Sequence, residues 1–204
     1  MTLARWLNYN LFIVALLSSP NVVAQSISMV PELRPGDVVL LALKCHICSA
    51  ISKTTQSPYN HAGLVIVGDV DGAQESATGQ IAQSLGTTEA VPTGQFFRQA
   101  PAGSSVAILR SKELSDLYTS DATTYESRMQ AMRQYFTQHM LSRAYDDDYL
   151  WDNKDDQGQE LLYCSEMVQK TLNQALDHKL TPTTLDYSRL WDFWYDYFLS
   201  LIHI

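Results

Sequence analysis

The sequence has few basic residues, few cysteines and no long apolar run, and these shortages exclude several classes of protein. Its 14 Lys and Arg residues stand against 22 Asp and Glu residues, which gives a net charge of −8. Such a charge, without basic runs or glycine-rich phosphate loops, repels nucleic acid, so nucleic-acid binding is excluded. The apolar run at residues 11–17 is too short to span a bilayer as a permanent helix. Contents of 46% apolar and 18% charged residues are those of a globular protein rather than a disordered one.

The first residues have the organisation of a secretory signal peptide. Arg5 precedes the apolar run, and small residues at 22–24 provide a cleavage site ending at Ala24. We expect cleavage there, export to the periplasm or the cell exterior, and a mature chain without a transmembrane helix. No cysteine follows the cleavage site, so a lipid anchor is not indicated. Removing residues 1–24 leaves 13 basic against 22 acidic residues, a net charge of −9.

The remainder is predicted to be one domain over residues 25–198, long enough to bury one core. Residues 199–204 back-translate to a transposon-end adapter used in preparing sequencing libraries. We therefore expect a non-native tail, and His203 is assigned to no site.

Hydrophobic periodicity predicts strands in the first half of the domain and helices in the second. Turn residues around positions 68–72 indicate that the strand at 61–67 pairs with residues 73–78. The Gly-, Thr- and Pro-rich stretch 79–94 is predicted to be a loop, and residues 111–123 a connector. The predicted strands are 38–43, 61–67, 73–78 and 105–109, and the predicted helices begin near 45, 123, 164 and 187. This order favours an α+β fold with a meandering sheet.

Cys164 is predicted to lie at the start of a helix. Apolar Leu161 and Leu162 precede it, and Met167 and Val168 begin a helical apolar face behind it. Unpaired N–H groups and the helix dipole stabilise a thiolate at such a position, which is the condition for a reactive cysteine. The alternative is a small buried side chain that happens to begin a helix.

His61 is the histidine best suited to act as a base for such a thiolate. It opens a strand and is followed by Ala62 and Gly63, so little side-chain bulk lies beside it. Glu75 lies on the predicted partner strand, within reach of the imidazole ring if the hairpin is symmetrical. A nucleophile, a base and a group that orients the base form the arrangement that covalent catalysis needs.

Four segments together resemble the NlpC superfamily of papain-like cysteine hydrolases. They are residues 36–41, 61–66, Glu75 and 163–168. Their order, with the histidine strand ahead of the cysteine helix, is similar to the circularly permuted YiiX/YaeF-like branch and to lecithin retinol acyltransferase relatives. The resemblance runs from about residue 34 to about residue 191. It implies a permuted papain-like fold, with an antiparallel sheet that carries the histidine packed against the helix that carries the cysteine.

The resemblance also implies a role for each residue. Cys164 would be the nucleophile, His61 the base and Glu75 the orienting group, while Tyr145, or less readily Tyr149, would help to hold the oxyanion. The expected activity is hydrolysis of an amide or ester in a cell-wall peptide or a lipid, with acyl transfer as a variant. No metal or organic cofactor is implied.

Cys45 and Cys48 form a competing motif. A C-x-x-C pair at a helix start is the motif of thiol–disulfide oxidoreductases, although no βαβ pattern surrounds this one. With His46 it could also bind zinc, but a second ligand pair is missing. In an exported protein we expect either a local disulfide or two thiols without a special role, and a disulfide would leave Cys164 as the odd thiol. A third hypothesis is a binding module that keeps the cleft without turnover.

Overall fold

The computed structural model describes residues 32–68, 79–183 and 185–202. Its strands are β1 (Val38–Leu41), β2 (His61–Val67), β3 (Gln80–Leu85), β4 (Thr87–Pro92) and β5 (Val106–Leu109). Its α-helices are α1 (His46–Thr55), α2 (Thr93–Arg98), α3 (Lys112–Ser120), α4 (Ala122–Tyr135), α5 (Cys164–Leu172) and α6 (Trp191–Ile202). A π-helical turn (Phe136–Met140) extends α4, and a 3₁₀ turn (Tyr187–Leu190) precedes α6.

The strands form one antiparallel sheet in the order β4-β3-β2-β1-β5. The central strand β2 pairs with β1 through Val39↔Gly63 and with β3 through Leu64↔Ala82. Helices α1 and α2 lie between strands, and α3 to α6 follow the last strand of this antiparallel sheet, so the predicted α+β class is confirmed. The predicted signal peptide, residues 1–24, lies outside the described residues.

The sheet has a separate apolar core on each of its two faces. Alternate residues of β2 point to opposite faces, so Leu64 and Ile66 join the core under α4 and α5, while Val65 joins the core under Phe96 of α2. The methionine-rich face predicted for the helix after residue 123 belongs to the first core. Its members Tyr125, Met129, Met132, Phe136 and Met140 are all buried.

Two predictions for the middle of the chain are wrong. The stretch 79–94 is not a loop, because β3 and β4 form a hairpin through the single residue Gly86, whose φ is +83°. The connector 111–123 contains helix α3, where Ser111 accepts from the Leu114 N–H at the helix start. One apolar residue, Leu114, is buried by that helix, which was too little for a periodic signal.

The Asp37 carboxylate connects the turn before β1 to the end of β5. It is 1% exposed and accepts two hydrogen bonds from Arg110, from Nε and Nη2, both at 2.7 Å. The Arg34 N–H is a third donor at 2.8 Å. Asp37 therefore has a structural role, holding together the edge of the sheet formed by β1 and β5.

Helix α6 packs beside α1. Trp194 is fully buried, and its indole N–H donates to Thr54 Oγ1 at 2.9 Å. The helix continues to Ile202, and Leu199 is 38% exposed. None of the helices in the described ranges has the length and apolarity needed to cross a bilayer.

Gly63 is required by the packing beside His61. A Cβ at this position would lie 2.5 Å from Ile81 Cγ2 and 2.6 Å from the Phe96 ring, and both neighbours are fully buried. We expect Gly63→Ala to lower the free energy of unfolding by about 1–3 kcal/mol, the usual cost of overpacking a core.

Urea unfolding of Gly63→Ala, Phe96→Leu and the double variant measures this cost. A smaller ring-free side chain should relieve the contact, so the double variant should lose less than the sum of the single changes. Strictly additive losses would show that Phe96 does not limit the space at residue 63.

Candidate active site

Cys164 is the first residue of α5, as the sequence predicts. Tyr163 precedes it in extended conformation, and the apolar residues of α5, Met167 and Val168, pack into the core beneath the sheet. The helix contacts both β2 and β3. The half-buried thiol therefore lies at the helix N-terminus, against the start of β2.

His61, the first residue of β2, meets Cys164 at this point. The imidazole is 4% exposed and lies beside the Cys164 thiol, close enough for each group to shift the pKa of the other. The Phe96 ring lies beside the imidazole, with 5.6 Å between ring centroids. The structure thus brings together the predicted nucleophile and the predicted base.

The contact shifts the titration of both groups toward their charged forms. Burial by itself raises the pKa of the Cys164 thiol, but the hydrogen bond and charge of His61, with the N–H groups of Ala62 and Ser165, lower it below its ordinary value. Burial likewise lowers the pKa of His61, and its bonds to Cys164 and Gln83 raise it above the ordinary value. The arrangement favours a thiolate beside an imidazolium.

The group on the far side of the imidazole is Gln83 of β3. Gln83 Oε1 lies 2.9 Å from His61 Nε2, which leaves Nδ1 for the thiol. Gln83 is fully buried. The predicted orienting group, Glu75, lies outside the described residues. In the part of the chain that the structure describes, Gln83 is the side chain that orients His61.

A sequence signal for Gln83 existed but was weak. Gly86 marks a turn to Thr87, a residue type favoured in strands, but residues 80–85 do not alternate apolar with polar as a half-buried strand does. The many Gly, Thr and Pro residues around them led instead to the prediction of a loop.

Both tyrosines considered for the oxyanion lie near the thiol. Burial raises the pKa of Tyr145 and of Tyr149, and the charge of a Cys164 thiolate raises both further. The Tyr145 hydroxyl donates to the Tyr149 hydroxyl at 3.4 Å. Tyr149 has a φ of +53°, an uncommon conformation for a non-glycine residue that often marks a functional site.

The acidic segment between Tyr145 and Cys164 folds around Asp146. This carboxylate is fully buried and accepts from the Asp148 N–H at 3.0 Å, the Leu150 N–H at 2.8 Å and Asn153 Nδ2 at 2.8 Å. Its role is to hold the turn that places Tyr149 over the start of α5.

Three carboxylates behind this loop form a group that could bind a cation. Oxygens of Asp152, Glu160 and Glu166 lie within 4.8 Å of one another. The Lys170 ammonium pairs with all three, at 2.7 Å from Glu166 Oε1. The same Glu166 oxygen accepts from the Asp152 N–H at 2.9 Å, so the cluster ties the loop to α5.

Cys45 and Cys48 are joined by a disulfide at the start of α1. Cys45 is the N-cap residue, and its sulfur accepts from the Cys48 N–H at 3.0 Å. Cys164 is therefore the chain's free thiol, as expected for an odd cysteine beside a paired Cys45 and Cys48.

Comparison with known proteins identifies a similar fold but no family. No protein-family model and no curated protein matches the chain. Among solved structures, the metalloprotein yiiX from Escherichia coli O157:H7 (DUF1105) is similar, with a TM-score of 0.57 and 19% sequence identity. The match covers 76% of this chain and 75% of that one. The fold is thus YiiX-like, in agreement with one part of the resemblance.

Proposed function

We propose that this protein is a cysteine hydrolase with a permuted papain-like fold. The observation that carries the proposal is the meeting of the Cys164 thiol at the start of α5 with the buried imidazole of His61 at the start of β2, a contact that lowers the pKa of the thiol. The YiiX-like fold, with the histidine strand ahead of the cysteine helix, supports the permuted arrangement.

The reaction is acyl transfer through the cysteine. The Cys164 thiolate attacks an amide or ester carbonyl, and the Nδ1–H of His61 donates its proton to the leaving amine or alkoxide as the bond to carbon breaks. Water then attacks the thioester and gives a proton to His61. This step releases the carboxylic acid and regenerates the Cys164 thiolate beside the His61 imidazolium. An acceptor other than water would make the same chemistry an acyl transfer.

In the proposed reaction two groups stabilise the oxyanion of the tetrahedral intermediate. The unpaired N–H groups and the positive dipole at the start of α5 favour negative charge there. A Tyr145 hydroxyl of raised pKa remains a proton donor at neutral pH. The proposed substrates are cell-wall peptide amides or lipid acyl groups of an exported protein's surroundings.

Metal chemistry does not fit the carboxylate group behind the loop. The YiiX neighbour is described as a metalloprotein. In this chain the place between Asp152, Glu160 and Glu166 is taken by Lys170. Burial lowers the pKa of Lys170, but its bonds to the three carboxylates raise it above the ordinary value, so it stays charged. A divalent cation would meet that ammonium, and no step of the mechanism uses one.

Alkylation of Cys164 by iodoacetamide at about pH 6 tests the thiolate–imidazolium pair. We expect His61→Ala to label at least about tenfold more slowly than the wild type, because each unit of thiol pKa is a factor of ten in thiolate. His139→Ala is the matched control, since His139 is exposed and lies on the π-helical turn. Equal rates for all three proteins would contradict the proposal and leave Cys164 as a structural residue.

A further inference from the structure

Gln83, the residue that orients His61, is itself held by Glu89 of the neighbouring strand. Gln83 and Glu89 are direct partners across the β3–β4 hairpin, and Gln83 Nε2 donates to Glu89 Oε1 at 3.1 Å. Hydrogen bonds therefore connect His61, Gln83 and Glu89 in series, from the imidazole beside the thiol to an exposed carboxylate.

The orientation of the Gln83 amide determines which protonation state of the His61 imidazole it stabilises. With Oε1 toward the ring, the amide accepts from the Nε2–H of an imidazolium. Rotated by half a turn, the amide would present its NH₂ group to that same N–H, and two donors would face each other. The rotated amide therefore favours neutral imidazole and a protonated, unreactive thiol.

Glu89 selects one of these two orientations of the Gln83 amide. An ionised carboxylate has no proton to donate, so it can pair only with the NH₂ end of the amide. That contact turns Oε1 toward His61, and the direct cross-strand register of the two residues holds them within reach.

We propose that Glu89 is a positioning residue that sets the orientation of the Gln83 amide and thereby raises the thiolate fraction of Cys164. The inference rests on the proposed function, since it assigns a role within the same site. It predicts that removing the carboxylate raises the pKa of the Cys164 thiol without removing any group that touches the substrate.

The experiment is the pH profile of Cys164 alkylation in Glu89→Gln. A glutamine at 89 can donate or accept, so both orientations of the Gln83 amide become available. We expect the rate at about pH 6 to fall by a factor of about three to ten, and the rate at alkaline pH, where all of the thiol is ionised, to equal that of the wild type. The raised pKa values of Tyr145 and Tyr149 keep these neighbours neutral over most of that range.

A double variant separates orientation from structural damage. Gln83→Glu with Glu89→Gln puts the carboxylate beside His61, where its two equivalent oxygens make amide orientation irrelevant. This variant should recover the wild-type rate at about pH 6 to within a factor of about two. Glu126→Gln is the charge control, because Glu126 is an exposed glutamate paired with Arg133, away from the site.

Each outcome decides between the two proposals. A Glu89→Gln profile that superimposes on the wild type, while His61→Ala remains slow, would overturn the role of Glu89 and leave the hydrolase proposal standing. The role of Glu89 would also be overturned if the alkylation rate fell equally at every pH, or if it did not recover in the Gln83→Glu/Glu89→Gln variant. Either result would mean that structural damage, and not a change in thiol ionisation, lowers the rate. A wild-type rate no faster than that of a simple thiol would overturn the hydrolase proposal itself.

Discussion

On the proposed mechanism, Cys164→Ala is expected to form no acyl-enzyme and to lose hydrolysis by a factor of about a million, the loss seen when a serine protease is deprived of its nucleophile. The variant should fold normally, because the side chain is half-buried and alanine is a good helix former. Intact-protein mass spectrometry after incubation with muropeptide and lipid acyl donors, side by side, measures acylation and distinguishes the two substrate classes.

The matched control is the double variant Cys45→Ser/Cys48→Ser, which removes two sulfurs from the other cysteine site. It should keep the acylation rate, with a modest loss of stability, because the disulfide closes a very short loop. Turnover that survives Cys164→Ser but not the double variant would assign the chemistry to thiol–disulfide exchange. A protein that reacts with no acyl donor would instead be a binding module.

Lys170→Met is expected to lower the free energy of unfolding by about 3–5 kcal/mol, the cost of leaving a buried charge without its partner. Glu166 is fully buried, and one of its oxygens already has no hydrogen-bond partner within the described ranges. Asp152 can turn to water because its side chain is 64% exposed, but Glu166 cannot. Lys112→Met is the control, since the Lys112–Asp116 pair has the same i,i+4 spacing at 66% and 63% exposure; it should cost less than about 1 kcal/mol.

The loss of unfolding free energy in Lys170→Met should depend on pH. Burial raises the pKa of Glu166 in the folded protein, and Lys170 partly offsets that effect. Without Lys170 the pKa rises further, so the native state binds a proton that the unfolded state has released, and stability falls as pH increases through that range. Urea unfolding at about pH 5 and about pH 8 should therefore show the larger deficit at the higher pH. A deficit independent of pH, or equal in the Lys112 control, would contradict the role of Lys170 as the partner of Glu166.

Local patterns were sufficient to place Cys164 at a helix start and His61 at a strand start. The apolar run before Cys164 and the helical face after it put the cysteine at a helix start, because helix periodicity is set by residues within a few positions of one another. The strand at His61 has the bounds predicted for it, 61–67. The disulfide between Cys45 and Cys48 also follows from local spacing.

Pairing between distant segments was beyond such patterns. Within the described residues β2 pairs with β1 and with Gln80–Leu85, while the predicted partner strand 73–78 lies outside them. Strand register depends on which segments meet across the sheet, and a short polar strand such as β3 resembles a loop when read alone. For that reason Gln83 and Glu89 were missed.

The amino-acid sequence on its own determined the local setting of the two candidate site residues: a thiol at a helix start, and a histidine at a strand start with small residues beside it. Only the tertiary structure decided that the two meet, that a buried amide holds the ring, and that Lys170 takes the place between three acids. The physical reason is that hydrogen bonds and charge pairs act over a few ångströms in space, whereas these groups come from segments far apart in the chain.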